Sequence, residues 1–269
     1  MGHGIAHAAI AGGYDTRMYD VSDAAVARGR TAIEQIVLKG VELGKLSTPD
    51  ADGMLARLSP TASLAEALQD ADLVIEAAPE KIEVKLALFA QIEALAPASA
   101  IIGSNTSALS ITELAGSLKA PARVAGMHFF NPVHKMKLVE IVQALESAPA
   151  TLAAVEAVAR RMGKETVLVR ESPGFITTRV NASIGNEAFY MLFEGVASAR
   201  DIDKALKLGL NHPMGPFELV DLVGLDTRLS ILEYLHRTMG EKYRPCPLLV
   251  EYVKAGRLGR KVRRGVYDY

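Results

Sequence analysis

The sequence predicts an α/β domain followed by an all-helical domain. Short apolar runs alternate with longer helical patterns up to about residue 170, as in a parallel sheet covered by helices. The runs are apolar almost without interruption, which is typical of strands buried on both faces. From about Gly174 to Leu258 the pattern is almost entirely helical. We therefore expect two domains, residues 1–171 and 172–269.

The elements of the first domain follow from the same patterns. Five apolar runs are the predicted sheet strands, at 71–78, 100–105, 123–130, 137–144 and 165–170. Helical patterns lie at 23–44, 81–95 and 149–162. The first twenty residues add a helix and a short strand that ends in Asp20. A helix followed by a strand that ends in a carboxylate is half of a nucleotide-binding unit.

The composition excludes several classes of protein. Thirty Lys and Arg residues balance thirty-one Asp and Glu residues, so no net charge favours nucleic acid or an acidic membrane surface. Cys246 is the only cysteine, which excludes an intrachain disulfide and a cysteine-rich zinc site. The six histidines show no ligand pattern, so we expect no metal. No apolar run reaches the length of about 18 residues that spans a bilayer, and no secretory signal is present, so we expect a cytoplasmic protein.

The segment GMHFFNPVHKMKLVEIV carries a candidate acid–base pair. His128 ends an apolar strand, and Glu140 lies within the next one, where a buried carboxylate needs a partner. If both face the same sheet edge, Glu140 accepts the Nδ1 proton of His128 and leaves Nε2 as a general base. A core histidine bonded to a backbone carbonyl, beside an outward glutamate, is the commoner arrangement on the residues alone. His134 is a possible rival base, but its polar surroundings favour the surface.

Polar residues follow another predicted strand in the segment GSNTSALSITEL. Ser104, Asn105 and Ser107 stand where an open sheet places its ligands, and they could hydrogen-bond a substrate oxygen or a nicotinamide. Ser107 or Ser110 could instead cap the following helix, with Glu113 completing a capping box from Ser110. The residues favour capping for Ser110 and leave Ser107 open.

The start of the chain offers candidate cofactor contacts. Gly2 and Gly4 could supply the last glycine of a phosphate-binding turn and the close helix contact that follows it. Equally, both could belong to an ordinary glycine-rich helix. Asp20 is placed to accept hydrogen bonds from ribose hydroxyls, which favours NAD over NADP. Equally, Asp20 could cap the next helix, for which Ser22 and Asp23 are also candidates.

Several motifs together resemble a known family. SNTSALSITELA, GMHFFNPVHKMKLVEIV, SPGFITTR, NHPMGPFELVDLVGLD and GRLGRKVRRGVYDY are similar to successive signatures of the 3-hydroxyacyl-CoA dehydrogenases, the short-chain 3-hydroxybutyryl-CoA members in particular. The match extends from Met1 to Tyr269. The resemblance implies a Rossmann-type NAD-binding domain, a helical domain that forms a homodimer, and oxidation of a short-chain (S)-3-hydroxyacyl-CoA to the 3-oxoacyl-CoA.

The resemblance also implies a role for each matched residue. His128 corresponds to the catalytic base, Glu140 to its orienting partner and Ser107 to a hydroxyl that contacts the substrate. The substrate site further includes Asn131 and Thr178. The implied cofactor contacts are Gly2, Gly4, Asp20, Glu80, Lys85 and Asn105.

Two departures from the family pattern stand out. Many members have asparagine at the position of Thr178, and Asn181 or Asn186 on the same helix could substitute for it. The chain also begins inside the nucleotide fingerprint, without the first strand and the Gly-x-Gly turn, so we expect a longer native protein. Two other functions remain open from the sequence: a dehydrogenase of a free hydroxy acid or sugar acid, and a non-catalytic oligomeric protein with this fold.

Overall fold

The computed structural model describes all residues from Met1 to Tyr269. The chain divides into two units, Met1–Glu171 and Ser172–Tyr269. All seven strands belong to the first unit, and the second is built from helices. No helix has both the length and the apolar character needed to cross a membrane.

The first unit alternates strands and helices. Its strands are β1 (Thr16–Tyr19), β2 (Leu58–Thr61), β3 (Leu73–Glu76), β4 (Ile101–Ser104), β5 (Val124–Phe129), β6 (Leu138–Gln143) and β7 (Glu165–Arg170). Its helices are α1 (Gly2–Ala11), α2 (Asp23–Glu42), α3 (Thr48–Leu55), α4 (Leu64–Leu68), α5 (Ile82–Leu95), α6 (Ile111–Gly116) and α7 (Pro149–Arg161). Each of the five predicted apolar runs contains one strand, which confirms those predictions. The short strand before Asp20 and the three predicted helices are confirmed as well.

Strands β3 to β7 form one sheet in sequence order. Three of its four pairings are parallel, but β5 and β6 run antiparallel. The prediction of a wholly parallel sheet is therefore wrong at this pairing. The physical reason is the short connection at 130–137, because a parallel crossover needs about a dozen residues or more.

Strands β1 and β2 form a separate parallel pair. β1 hydrogen-bonds only to β2, and β3 hydrogen-bonds only to β4, so each keeps one edge without a strand partner. Helix α1 packs against the hydrophobic clusters of both sheets. Its Ile5 and Ala8 join the cluster around β5 and β6, whereas Ala6 and Ile10 join the cluster that contains Met18 of β1.

The second unit contains five helices around its own core. They are α8 (Thr177–Phe193), α9 (Ala199–Gly209), α10 (Pro216–Val223), α11 (Leu225–Met239) and α12 (Pro247–Lys254). Pro216 occupies the first turn of α10, as the sequence predicts. The rings of Phe189 and Phe217 meet edge to face in the core, with centroids 5.2 Å apart.

The C-terminal tail of this unit is anchored on Asp221 of α10. The buried carboxylate accepts hydrogen bonds from the backbone N–H groups of Val266 and Tyr267, at 2.8 and 2.9 Å, and from the Tyr269 hydroxyl at 3.0 Å. A side chain at Gly265 would place its Cβ only 2.0 Å from Asp221 Oδ1. Only glycine fits at this point of the tail.

Candidate active site

His128 and Glu140 form a buried pair in the middle of the five-stranded sheet. They lie directly opposite each other on β5 and β6, and His128 Nδ1 is 2.7 Å from Glu140 Oε2. The His128 side chain is 5% exposed and that of Glu140 is fully buried. The antiparallel pairing explains the contact, because side chains opposite each other in such a ladder lie close together on the same face. The alternative with an outward glutamate is therefore wrong.

This contact sets the protonation pattern of the imidazole. An ionised carboxylate only accepts hydrogen bonds, so Nδ1 donates its proton to Glu140. In the neutral ring the lone pair is then on Nε2, the nitrogen that a general base would use. The ring of Phe130 lies beside the imidazole, with centroids 4.5 Å apart.

A second buried network lies at the ends of β3 and β4. Lys85 of α5 places its Nζ 2.7 Å from Glu76 Oε1, and both side chains are fully buried. The other carboxylate oxygen of Glu76 accepts a hydrogen bond from Ser104 Oγ at 2.6 Å. Lys85 also lies 3.5 Å from Glu80 Oε2. Ser104 is completely buried, so the interpretation of Ser104 as a ligand-binding side chain is not supported by its position.

Glu80 holds the loop that follows β4. Its Oε1 accepts hydrogen bonds from Thr106 Oγ1, at 2.5 Å, and from the backbone N–H groups of Ser107 and Ala108, at 2.8 and 3.1 Å. Ser107 does not cap the next helix; the cap of α6 is Ser110, which accepts from the N–H of Glu113 at 3.0 Å. The loop therefore presents Ser107 from a conformation that is fixed by a carboxylate.

Asn105 connects this loop to the strand of the catalytic histidine candidate. The side-chain Oδ1 of Asn105 accepts a hydrogen bond from the backbone N–H of Phe129 at 2.8 Å. The backbone N–H of Asn105 donates to the backbone carbonyl of Glu76 at 2.8 Å. Phe129 directly follows His128 in β5. The amide oxygen of Asn105 is thus bound within the protein, which leaves its NH₂ group as the part suited to a ligand.

The start of α1 has the properties of a phosphate site. The helix has no side-chain cap at Met1, so its first N–H groups carry the positive end of the helix dipole. Gly2 lies next to Ala77, just beyond β3: a Cβ on Gly2 would be 4.0 Å from the Cβ of Ala77. A Cβ on Gly4 would come within 3.0 Å of Val133, so Gly4 allows close packing of α1 on the β5–β6 connection.

Asp20 is exposed and lies directly after β1. The cap of α2 is Ser22, whose hydroxyl accepts from the N–H of Ala25, so the alternative of Asp20 as the helix cap is wrong. One Asp20 oxygen accepts the N–H of Val21 at 2.8 Å. An uncapped helix start and a carboxylate at the end of the neighbouring strand fit the pyrophosphate and ribose of a dinucleotide.

Cationic and imidazole groups gather where α1 meets the β5–β6 connection. Burial, together with His134, Lys164 and His3, lowers the pKa of His7 to about 4. The rings of His7 and His134 are 6.4 Å apart. Burial also lowers the pKa of Lys164, whose Nζ donates to the carbonyls of Val133 and Met136. His134 is exposed, as its polar surroundings predict.

The remaining predicted substrate residues lie apart in the chain. Asn131 is exposed in the β5–β6 connection, and Thr178 is half-buried near the start of α8 in the second unit. Asn186 is unsuited to replace a substrate-binding asparagine. Its amide donates to the carbonyl of Arg244 at 2.9 Å and accepts from the N–H of Cys246 at 2.9 Å, so both ends are used in holding that segment. Asn181 remains the candidate.

The two units match the two family models of one enzyme family. The 3-hydroxyacyl-CoA dehydrogenase NAD-binding domain matches residues 1–172, and the C-terminal domain of the same family matches 174–269. The chain belongs to the 3-hydroxyacyl-CoA dehydrogenase family. It is thus an oxidoreductase with an NAD-binding Rossmann domain and a helical C-terminal domain.

Several known proteins are similar to this chain over its whole length. A probable 3-hydroxybutyryl-CoA dehydrogenase of Bacillus subtilis is 46% identical, over 100% of this chain and 94% of that protein. A 3-hydroxybutyryl-CoA dehydrogenase of Bradyrhizobium diazoefficiens is 44% identical, over 100% and 92%. The crystal structure of (S)-3-hydroxybutyryl-CoA dehydrogenase from Ralstonia eutropha superposes with a TM-score of 0.97 at 44% identity, covering 100% of this chain and 95% of that one.

Sequence reasoning missed Glu76 and Glu171. Glu76 stands in the apolar run LVIEAA, and the argument that a buried carboxylate needs a partner, applied to Glu140, applies equally to it. Glu171 accepts from Ser110 Oγ at 2.5 Å and from the N–H of Thr112 at 2.7 Å, at the start of α6. It follows a strand at a polar position, where no local pattern distinguishes it from a solvated residue.

Proposed function

We propose that this protein oxidises short-chain (S)-3-hydroxyacyl-CoA thioesters, such as 3-hydroxybutyryl-CoA, to 3-oxoacyl-CoA with NAD, and that it acts in the cytoplasm. The observation that carries the proposal is the buried contact of 2.7 Å between His128 and Glu140. A neutral imidazole with one nitrogen bound to a carboxylate is suited to remove a hydroxyl proton. The names of the similar proteins support a short acyl chain.

In this proposal His128 takes the proton of the 3-hydroxyl on Nε2. The imidazolium that forms keeps its Nδ1 proton directed at Glu140, so the buried carboxylate stabilises the new positive charge. NAD, when bound, supplies the acceptor for the hydride from C3 of the substrate. Ser107 contacts the reacting oxygen, while Asn131 and Thr178 shape the substrate site. In the reductive direction the charged imidazole returns its proton, so a lower pH favours reduction.

The proposed cofactor contacts come from the first unit. The first N–H groups of α1, at Gly2, bind the pyrophosphate, Gly4 allows the close packing of the helix there, and Asp20 binds the adenosine ribose. Glu80 lies near the cofactor and Asn105 approaches the nicotinamide. The implied direct cofactor contact of Lys85 is not supported by its position, because its side chain is fully buried against Glu76, so Lys85 acts through Glu80. Support for this group comes from the ion pair between Lys85 and Glu80 and from the hydrogen bond that Glu80 accepts from the loop after β4.

The test is NADH oxidation driven by acetoacetyl-CoA, with the free acid acetoacetate in parallel. The proposal predicts turnover of the thioester that His128→Ala abolishes, while His134→Ala retains it. Turnover of the free acid alone would favour the hydroxy-acid alternative. A folded wild-type chain that binds NADH but turns over neither compound, with no difference between it and His128→Ala, would contradict the proposal.

We also propose that β1 and β3 are joined, in the working enzyme, by a further parallel strand that precedes α1 and carries the Gly-x-Gly turn. Two observations support this: each of the two strands has one edge without a strand partner, and the apolar side chains of β3 are only half-buried. Unpaired edges leave backbone groups without partners. A version extended upstream should bind NADH more tightly than the 269-residue chain; equal affinity would contradict this proposal.

Finally, we propose a homodimer through the helical unit. Several large apolar side chains of this unit are more than 45% exposed: Ile176, Val180, Phe193, Val196, Leu208, Leu210 and Leu222. Exposed apolar surface of this kind is typical of a protein interface. Light scattering after size exclusion should give twice the chain mass of 28.8 kDa, and a Leu208→Glu/Leu210→Glu variant should shift it to the monomer if these residues contribute. A monomeric wild-type protein would contradict the proposal.

A further inference from the structure

The loop after β4 is held by a chain of hydrogen bonds that begins at Glu76. Glu76 Oε2 accepts from Ser104 Oγ, at 2.6 Å, and Ser104 Oγ in turn accepts from the N–H of Thr106 at 3.3 Å. The Thr106 hydroxyl accepts from the N–H of Leu109 at 3.0 Å. Each hydrogen bond fixes the next part of the loop, so the position of Ser107 depends on a carboxylate on the neighbouring strand β3.

Glu76 reaches the same loop by a second route through Lys85. Its Oε1 lies 2.7 Å from Lys85 Nζ, and Lys85 also lies 3.5 Å from Glu80, which binds the N–H groups of Ser107 and Ala108. The Lys85 ammonium is fully buried between the two carboxylates. Without the charge of Glu76, the buried ammonium would have Glu80 as its remaining ion-pair partner and would draw it away from the loop.

We propose that Glu76 is a positioning residue for the dehydrogenase site: it holds Ser107 in place through Ser104 and through the Lys85–Glu80 pair. The expected kinetic effect rests on the proposed function, whereas the expected effect on the position of the loop does not. Glu76 is 3% exposed, so it acts through these residues without touching the substrate.

The first experiment measures hydrogen exchange of the backbone amides at 104–109 in Glu76→Gln. Glutamine keeps the size of the side chain and removes its charge. The matched control is Ile92→Val, a buried position on the same helix as Lys85, which lowers stability without touching the network. We expect the Ser107 and Ala108 amides to exchange about tenfold faster or more in Glu76→Gln than in the control, as expected for loss of a hydrogen bond to a charged group. Equal exchange in the two variants would overturn the inference.

The second experiment compares KM and kcat for acetoacetyl-CoA and NADH. A displaced loop raises KM and lowers kcat together, whereas a purely structural defect reduces the active fraction and leaves KM unchanged. An unchanged KM in Glu76→Gln would therefore also count against the inference.

If Glu76→Gln does not fold, Ser104→Ala replaces it in both measurements, because it breaks the hydrogen bond between Ser104 and Glu76 and keeps the Glu76–Lys85 pair. Absence of wild-type turnover would refute the proposed function alone, and the exchange result would still decide the role of Glu76.

Discussion

Replacing Glu140 by glutamine should lower kcat by about 10²- to 10⁴-fold with little change in KM. The carboxylate is fully buried and 2.7 Å from His128 Nδ1. A hydrogen bond to a charged group contributes about 1.5–3 kcal/mol, and each 1.4 kcal/mol or so is a factor of ten in rate. For this fully buried carboxylate we take the upper end of that range, which gives about 10²-fold. A glutamine that donates its N–H to Nδ1 would also select the wrong tautomer, an effect of about 10⁴-fold in a comparable His–Asp pair.

The assay is NADH oxidation by acetoacetyl-CoA under saturating conditions, with thermal unfolding measured on the same samples. Glu165→Gln is the matched control, because Glu165 is an exposed glutamate on the adjacent strand β7. If Glu140 acts through His128, the double variant His128→Ala/Glu140→Gln should be no slower than His128→Ala alone. A folded Glu140→Gln enzyme that keeps the wild-type kcat, or additive losses in the double variant, would refute the reasoning.

Three further predictions follow from other parts of the structure. Asp20→Ala should raise the KM for NADH and relax discrimination against NADPH, because the carboxylate is exposed and not used as a helix cap; an unchanged coenzyme preference would contradict it. The pKa of His7 is about 4 when folded and 6.5 when unfolded, so its contribution to stability is complete above pH 6.5 and is lost as the pH falls from 6.5 towards 4. The upper limit of that loss is about 3 kcal/mol, and partial exposure reduces it to about 1–2 kcal/mol. The free energy of unfolding in urea should therefore differ less between pH 7.5 and pH 5 in His7→Gln than in the wild type. Gly265→Ala should cost about 1–3 kcal/mol, since the new Cβ would lie 2.0 Å from Asp221 Oδ1, whereas Gly256→Ala, where no other atom lies within 4 Å, should show only the strain of its positive φ.

Hydrophobic pattern identified the strands of the larger sheet but not their directions. The five apolar runs were recognisable because strands buried on both faces read as continuous apolar segments. The antiparallel direction of β6 follows from the short connection at 130–137, and hydrophobic pattern alone does not show the direction of a strand. β2 was missed because Leu58–Thr61 has four residues, including Pro60, and shows no alternation.

The candidate site was predictable where a residue type conflicts with its surroundings. Glu140 in an apolar strand indicated a buried partner, and the same conflict at Glu76 was equally visible. Capping was favoured for Ser110, but the roles of Ser107 and Asp20 were open because capping and ligand binding use the same side chains at the same places. Only three-dimensional contacts, such as the bond from Ser22 to Ala25, separate these alternatives. The partners of Lys85 could not be found from hydrophobic pattern, because Glu76 and Glu80 meet it through the fold of the connection between β3 and α5.

The antiparallel register of β5 and β6 has a consequence for how this enzyme can change. Phe129 pairs with Val139 and His128 with Glu140, so the proposed proton-transferring pair is fixed by backbone hydrogen bonds of the sheet. A slip of β6 by one residue would turn Glu140 to the opposite face of the sheet and separate it from His128. The exposed connection at 130–137, which carries Asn131 and His134, lies outside that ladder. Replacing residues in this connection should therefore alter the proposed substrate contact of Asn131 while the His128–Glu140 pair stays intact.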